Sequence, residues 1–151
     1  HALAGGCGLA AVCDFSFTVP EAKFGYTEVK IGFIPAIVMV FLLRRINEGK
    51  SKQLLLSGDL ISAEEAQQLG LVNYISSKEK LQDDVLAFAT RLINSNSGQS
   101  MATTKQMIGA VQSMSLTEAL NYASEMNAKA RASEDCQRGI AAFLNKEKLI
   151  W

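Results

Sequence analysis

The residues best placed to do chemistry in this chain stand near its start. Ala4, Gly5 and Gly6 are small enough to let a backbone pass close to a ligand, and Gly5 can take positive φ without strain. They feed an apolar helix over about residues 6–13, whose first amides lack intrahelical acceptors and sit at the positive end of the helix dipole. Such a turn suits an oxyanion or a phosphate. Glu28, in Tyr26-Thr-Glu-Val-Lys30, is a candidate acid/base carboxylate, although its alternation with Lys30 also fits a solvated strand residue. His1 is the sole histidine and reads as a packing residue rather than a ligand or catalyst. Cys7 and Cys13 recur at helical spacing as small apolar fillers, and no histidine partners either as a nucleophile.

Two unlike segments position these groups. Up to about residue 76, short strands alternate with short helices: Phe15 to Val19 alternates as a strand, Pro20 to Lys23 is a turn, and Phe24 to Tyr26 is a second short strand. Pro35 starts a helix to about Ile46, Gly49 or its neighbourhood breaks it, and Ser51 to Leu56 continues as a second helix. Ser62 and Glu65 have capping-box spacing, Gly70 stops the helix they begin, and Leu71 to Ile75 is a strand. Residues 77–151 read as helices, about 81–93, 100–112, 116–131 and 134–146, with a second capping box at Ser115 and Glu118. Helices without intervening strands must pack on one another or on another subunit.

Composition narrows the class. The 151 residues carry fifteen basic and fifteen acidic side chains, so attraction to nucleic acid or to an anionic membrane is not a leading idea. No apolar run reaches the roughly 18 residues that span a bilayer. Cys7, Cys13 and Cys136 lack zinc spacing and are odd in number, which favours reduced thiols inside a cell and gives no metal site.

Four segments together resemble the crotonase superfamily, the enoyl-CoA hydratase/isomerase family. A typical family opening reads Gly-His-Ala-Leu-Gly-Gly-Gly-Cys-Glu-Leu-Ala, and His1 to Ala10 departs from it at Ala4 and Gly8. Phe24-Gly-Tyr-Thr-Glu-Val-Lys-Ile-Gly-Phe-Ile-Pro35 is similar to the second family segment. Ser57-Gly-Asp-Leu-Ile-Ser-Ala-Glu-Glu-Ala66, with Gly70-Leu-Val-Asn73, resembles the third and is the most diagnostic. Ala142-Phe-Leu-Asn-Lys146 with Trp151 is similar to the family's terminal positions.

The resemblance implies an α/β crotonase-like spiral of β-β-α units, of which residues 1–76 would be the later turns, followed by a C-terminal helical trimerisation region over residues 77–151. It implies an acyl-CoA substrate, with coenzyme A as part of that substrate and no separate cofactor. The Gly5 amide would be one of two donors to the thioester oxygen, the other lying in an earlier segment. Family hydratases place two glutamates around a water; the first position is Gly8 here and the second is retained as Glu28. One carboxylate suffices to carry a proton from C2 to C4, which favours isomerase chemistry, while the overall likeness is to hydratases. Lys146 and Lys148 would approach the CoA phosphates, and the complete protein would be a homotrimer or dimer of trimers in the cytoplasm or an organelle matrix.

Ala36 to Leu43 is bulky where many family members have glycines. It reads mainly as a buried helix that also reshapes the acyl pocket. Arg138 stands where related proteins often have Glu. A non-catalytic assembly module of a crotonase-like oligomer is the alternative, explained by the single glutamate and by the absent earlier segment.

Overall fold

A computed structural model describes residues 1–151. The chain forms two compact units, His1–Val85 and Leu86–Trp151. The first is α/β. Its strands are β1 (Ala2–Leu3), β2 (Phe17–Thr18), β3 (Lys23–Gly25), β4 (Ile61–Ser62) and β5 (Tyr74–Ile75). Its helices are α1 (Gly5–Val12), α2 (Ala36–Arg45), α3 (Glu48–Ser57) and α4 (Ala63–Gln68), with a 3-10 turn at Glu28–Ile31.

Two small sheets organise this unit. β3 is the centre of one, parallel to β1 with Leu3 opposite Gly25, and antiparallel to β4 with Phe24 opposite Ile61. β2 and β5 run parallel in the other, where the Phe17 and Tyr74 rings stack at 4.6 Å. Strands this short have few ladder bonds, so side-chain anchors carry their register. The Lys23 amide donates to His1 Nδ1 at 2.9 Å, which fixes the start of β1 against β3 and gives the lone histidine a structural role. Arg45 clamps the far side: its guanidinium donates to the Gly70 carbonyl at 3.0 Å, to Asn73 Oδ1 at 2.9 Å and to the Cys13 carbonyl at 3.3 Å. Cys7, Phe24, Tyr26, Leu42, Leu54, Ala63 and Leu71 fill the core between these elements.

Several local expectations need correction. The helix after Pro35 ends at Arg45 with Ile46 as its C-cap, as expected, and the break falls in the neighbourhood of Gly49; the second helix starts at Glu48 rather than Ser51, because the Asn47 side chain accepts from the Lys50 amide and caps it. Pro35 precedes α2 as its N-cap residue. α2 is not a buried helix: only Leu42 is enclosed, while Ile37, Val40, Phe41 and Leu43 are exposed. Cys13 is exposed at the end of α1 rather than packed beside the buried Cys7, because α1 stops at Val12 and turns its last residues outward. Both capping boxes are present, Ser62 with Glu65 and Ser115 with Glu118.

The second unit contains the end of α5 (Leu81–Ser95), then α6 (Gly98–Val111), α7 (Leu116–Arg131) and α8 (Glu134–Asn145). Ser97 caps α6 by accepting from the Ser100 amide, and its hydroxyl donates to Asp135 in the first turn of α8. Arg138 holds the terminus, donating to the Ile150 carbonyl at 2.8 Å with its guanidinium 4.9 Å from the centre of the Trp151 ring. No helix is long and apolar enough to cross a membrane.

Candidate active site

Strand register places both candidate groups just past the same end of the β1–β3 pair. Leu3 pairs with Gly25, and the next amide, Ala4 N–H, donates to the Gly25 carbonyl at 2.8 Å. Gly5 is therefore one residue past that bond on one strand, and Glu28 is three residues past Gly25 on the other. α1 begins at Gly5, and its first intrahelical bond is Gly8 N–H to the Ala4 carbonyl at 3.1 Å. The amides of Gly5 and Gly6 precede that bond and have no intrahelical acceptor. A methyl group built on either glycine would meet nothing within 4 Å, so this helix end is open to a ligand.

The positive φ at this turn belongs to Ala4, with φ 49° and ψ −121°, and not to Gly5, which is helical. The parallel bond to Gly25 fixes the Ala4 amide, and the chain must enter α1 at the next residue. Reversing direction within one peptide forces the strained conformation onto Ala4.

Glu28 opens a 3-10 turn, which replaces the solvated strand that its alternation with Lys30 suggested. Gly32 ends the turn with φ 74°, and the Phe33 amide donates to the Glu28 carbonyl at 3.0 Å. The Ser57-Gly-Asp59 segment supports it from below. Gly58 lies so close that an added Cβ would sit 3.0 Å from Val29 Cγ2, and Lys30 Nζ pairs with Asp59 at 3.1 Å. Gly25 is held equally tightly, 2.8 Å from the Asp59 carbonyl if it bore a Cβ. The third sequence segment thus serves the second.

The resulting cluster is apolar and short of hydrogen bonds. Glu28 Oε2 and the Tyr26 hydroxyl are both buried without a partner. Burial pushes the Cys7 thiol above its ordinary value, and the negative charge of Glu28 adds to the rise despite the nearby Tyr26 hydroxyl and Gly25 amide. Burial likewise raises the Tyr26 phenol, followed by the effects of Cys7 and Glu28. Tyr26 was not among the sequence candidates, since a tyrosine beside a strand carries no mark of its depth.

Gly8 faces α2. A Cβ there would lie 2.2 Å from Val38 Cγ1 and 2.8 Å from Val38 Cβ, so no side chain fits at position 8 while Val38 is in place. Lys146 and Lys148 belong to the second unit and are exposed, without carboxylate partners. Lys146 also terminates α8 in the left-handed conformation, φ 57°. No group of three histidine, cysteine or carboxylate side chains is arranged to hold a metal ion.

This succession of elements has counterparts among known proteins. The sequence model described as enoyl-CoA hydratase/isomerase matches residues 1–151. The chain belongs to the enoyl-CoA hydratase/isomerase family. A Thermus thermophilus protein named for enoyl-CoA hydratase is 42% identical over 145 residues, covering 96% of this chain and 57% of its own length. The crotonyl-CoA hydratase of Syntrophomonas wolfei is 34% identical, over 97% of this chain and 56% of its own. In three dimensions the chain superposes on an enoyl-CoA hydratase of Mycobacterium smegmatis with a TM-score of 0.92 at 25% identity, covering 99% of this chain and 58% of that one. The human enoyl-CoA hydratase domain-containing protein 3 gives a TM-score of 0.89 at 29% identity over 99% of this chain and 59% of that one. The crotonase fold expected from the sequence is therefore present, and the match is not confined to one part of the chain. The crotonase-family chain spans a little over half the length of these relatives.

Proposed function

We propose that the protein containing this chain acts on an enoyl-CoA thioester by moving one proton through Glu28 while the Gly5 amide holds the thioester oxygen. The carrying observation is Glu28 Oε2, a carboxylate oxygen buried without a hydrogen bond, just beyond the strand that pairs with the one leading into an open helix N-terminus. Leaving such an oxygen unpaired is unfavourable unless the site has a use for it. That oxygen has no donor of its own chain to satisfy it, so it is available to take a proton from C2 of a bound thioester. The electron pair left behind moves onto the thioester oxygen, where an amide donor of this kind is worth about 2.7–4 kcal/mol in comparable acyl chemistry. Glu28, now protonated, returns the proton at C4, and the double bond has moved from the 3 to the 2 position. Atoms and electrons balance without a cofactor.

This favours isomerisation over hydration, because Gly8 supplies no second carboxylate to activate water. The names of the relatives support the thioester class and lean toward hydration. Lys146 and Lys148 serve as cations for the CoA phosphates, supported by their exposure and free ammonium groups. Glu28→Gln in the full-length protein should cut 3-enoyl-CoA isomerisation by about 100-fold or more. Full activity of that variant in both isomerisation and crotonyl-CoA hydration would refute the assignment.

A role in assembly has its own support. Leu116, Leu120, Ile140, Phe143 and Leu144 are exposed in the second unit, as the helices of a homotrimer or dimer of trimers would require. Native mass and sedimentation of the full-length protein test this, and a monomer would exclude it.

A further inference from the structure

The contact between Gly8 and Val38 has a meaning beyond packing. A Cβ on Gly8 of α1 would meet α2 at Val38, and the obstruction includes Val38 Cβ at 2.8 Å as well as Cγ1 at 2.2 Å. A rotamer change moves Cγ1 but leaves Cβ in place, so a side chain at position 8 requires movement of the backbone of α2. Only the Val38 Cα, at 3.6 Å, is at an ordinary distance. Gly8 follows directly on Cys7, whose thiol feels the charge of Glu28, so any group on position 8 would branch from the same turn of α1 that borders the carboxylate. Val38 itself is half-buried and packs on the core.

We propose that Val38 is a specificity-determining residue: by occupying the space next to Gly8 it bars a second acid/base group from the site and restricts the protein to one-carboxylate proton transfer. This rests on Glu28 being the proton carrier. The bulk at position 38 and the bareness of position 8 are two halves of one steric device: position 8 cannot gain a side chain unless position 38 loses its own.

A double-variant cycle in the full-length protein tests it. Gly→Ala inside a helix ordinarily stabilises by about 1 kcal/mol, but here Gly8→Ala should lower the melting temperature by roughly 4–10 °C through overpacking. In a Val38→Gly background, which removes both obstructing atoms, the same Gly8→Ala change should be neutral or raise the melting temperature. Equal losses in the two backgrounds would overturn the pairing. In the full-length protein, Gly8→Glu combined with Val38→Gly should raise the ratio of crotonyl-CoA hydration to 3-enoyl-CoA isomerisation by about 10-fold or more. Gly8→Glu alone should leave that ratio unchanged or unfold the protein. An unchanged ratio in a folded double variant would overturn the specificity role while leaving the melting cycle intact. Undiminished isomerisation by Glu28→Gln would instead remove the proton carrier, and the steric pairing would stand without it.

Discussion

Replacing Ala4 with glycine should make the protein more stable, against the usual expectation that glycine loosens a chain. Ala4 holds φ 49° and ψ −121°, a combination that crowds Cβ against the backbone and that glycine adopts freely. Residues held in such regions carry about 1–3 kcal/mol of strain. Against this relief stands the added freedom of glycine in the unfolded chain, about 0.4–1 kcal/mol. The net gain is about 1 kcal/mol, which for a chain of this size corresponds to roughly 2–4 °C in melting temperature. Thermal unfolding followed by circular dichroism, with urea unfolding as a second probe, measures it. Ala4→Val should move the other way by at least as much, since a branched Cβ worsens the same clash. A melting temperature for Ala4→Gly that is unchanged or lower would refute the claim that strain resides at this peptide. The Ala4 carbonyl accepts from Gly8, and its ψ sets the direction of the Gly5 N–H, so the strain also measures how firmly the proposed oxyanion donor is aimed.

Other outcomes follow from the same geometry. Arg45→Met should cost about 2–3 kcal/mol, seen as a lower urea midpoint with an unchanged slope, because three acceptors on two segments lose one guanidinium. Iodoacetamide at mildly alkaline pH should modify the exposed Cys13 first and Cys7 only as the protein unfolds, since burial holds Cys7 neutral above its ordinary value of 9.0; equal rates would contradict the buried cluster. The raised Cys7 and Tyr26 values give stability that is complete below their unfolded values and lost as pH rises through the folded ones, so unfolding should set in on the alkaline side and Cys7→Ser should shift that limb. Glu118 has the opposite sign. The Ser115 hydroxyl and then its backbone amide lower the carboxyl below 4.5, so the α7 cap holds above that value and is lost as pH falls further; hydrogen exchange in the first turn of α7 should show the loss, and Glu118→Gln should abolish its pH dependence.

Features written in a few adjacent residues were legible in the sequence. Ser62 with Glu65 and Ser115 with Glu118 satisfy their own helix ends, and nothing distant is needed to form them. Asn47 carried a signal of the same kind, an N-cap three residues before Lys50, but Gly49 drew the helix break to itself. The 3-10 turn at Glu28 was hidden, because the groups that hold it come from Gly58 and Asp59, far along the chain. Ala4 and Val38 show the same limit. Ala4 is strained by a bond to Gly25, and Val38 matters through Gly8; in both cases a composition of small or bulky residues was visible while the partner was not. The sequence named Gly5 and Glu28 as candidates by identity alone, and the segments that surround them in the fold were not readable from it.

The pairing of Leu3 with Gly25 makes the site a matter of counting. From that rung the chain runs two residues to the amide and three to the carboxylate, with no slack in either arm: Ala4 is already strained, and Gly25 is pressed on the Asp59 carbonyl. Insertion or deletion of a single residue in either arm would rotate one group away from the other, whereas the stretch between the two arms, from Cys13 to Ala22, can change length without altering the count. The spacing between the proposed base and the proposed oxyanion donor is thus written in a number of residues as well as in the contacts of Gly58 and Asp59, and a change of length is tolerated best where it leaves these five positions in step.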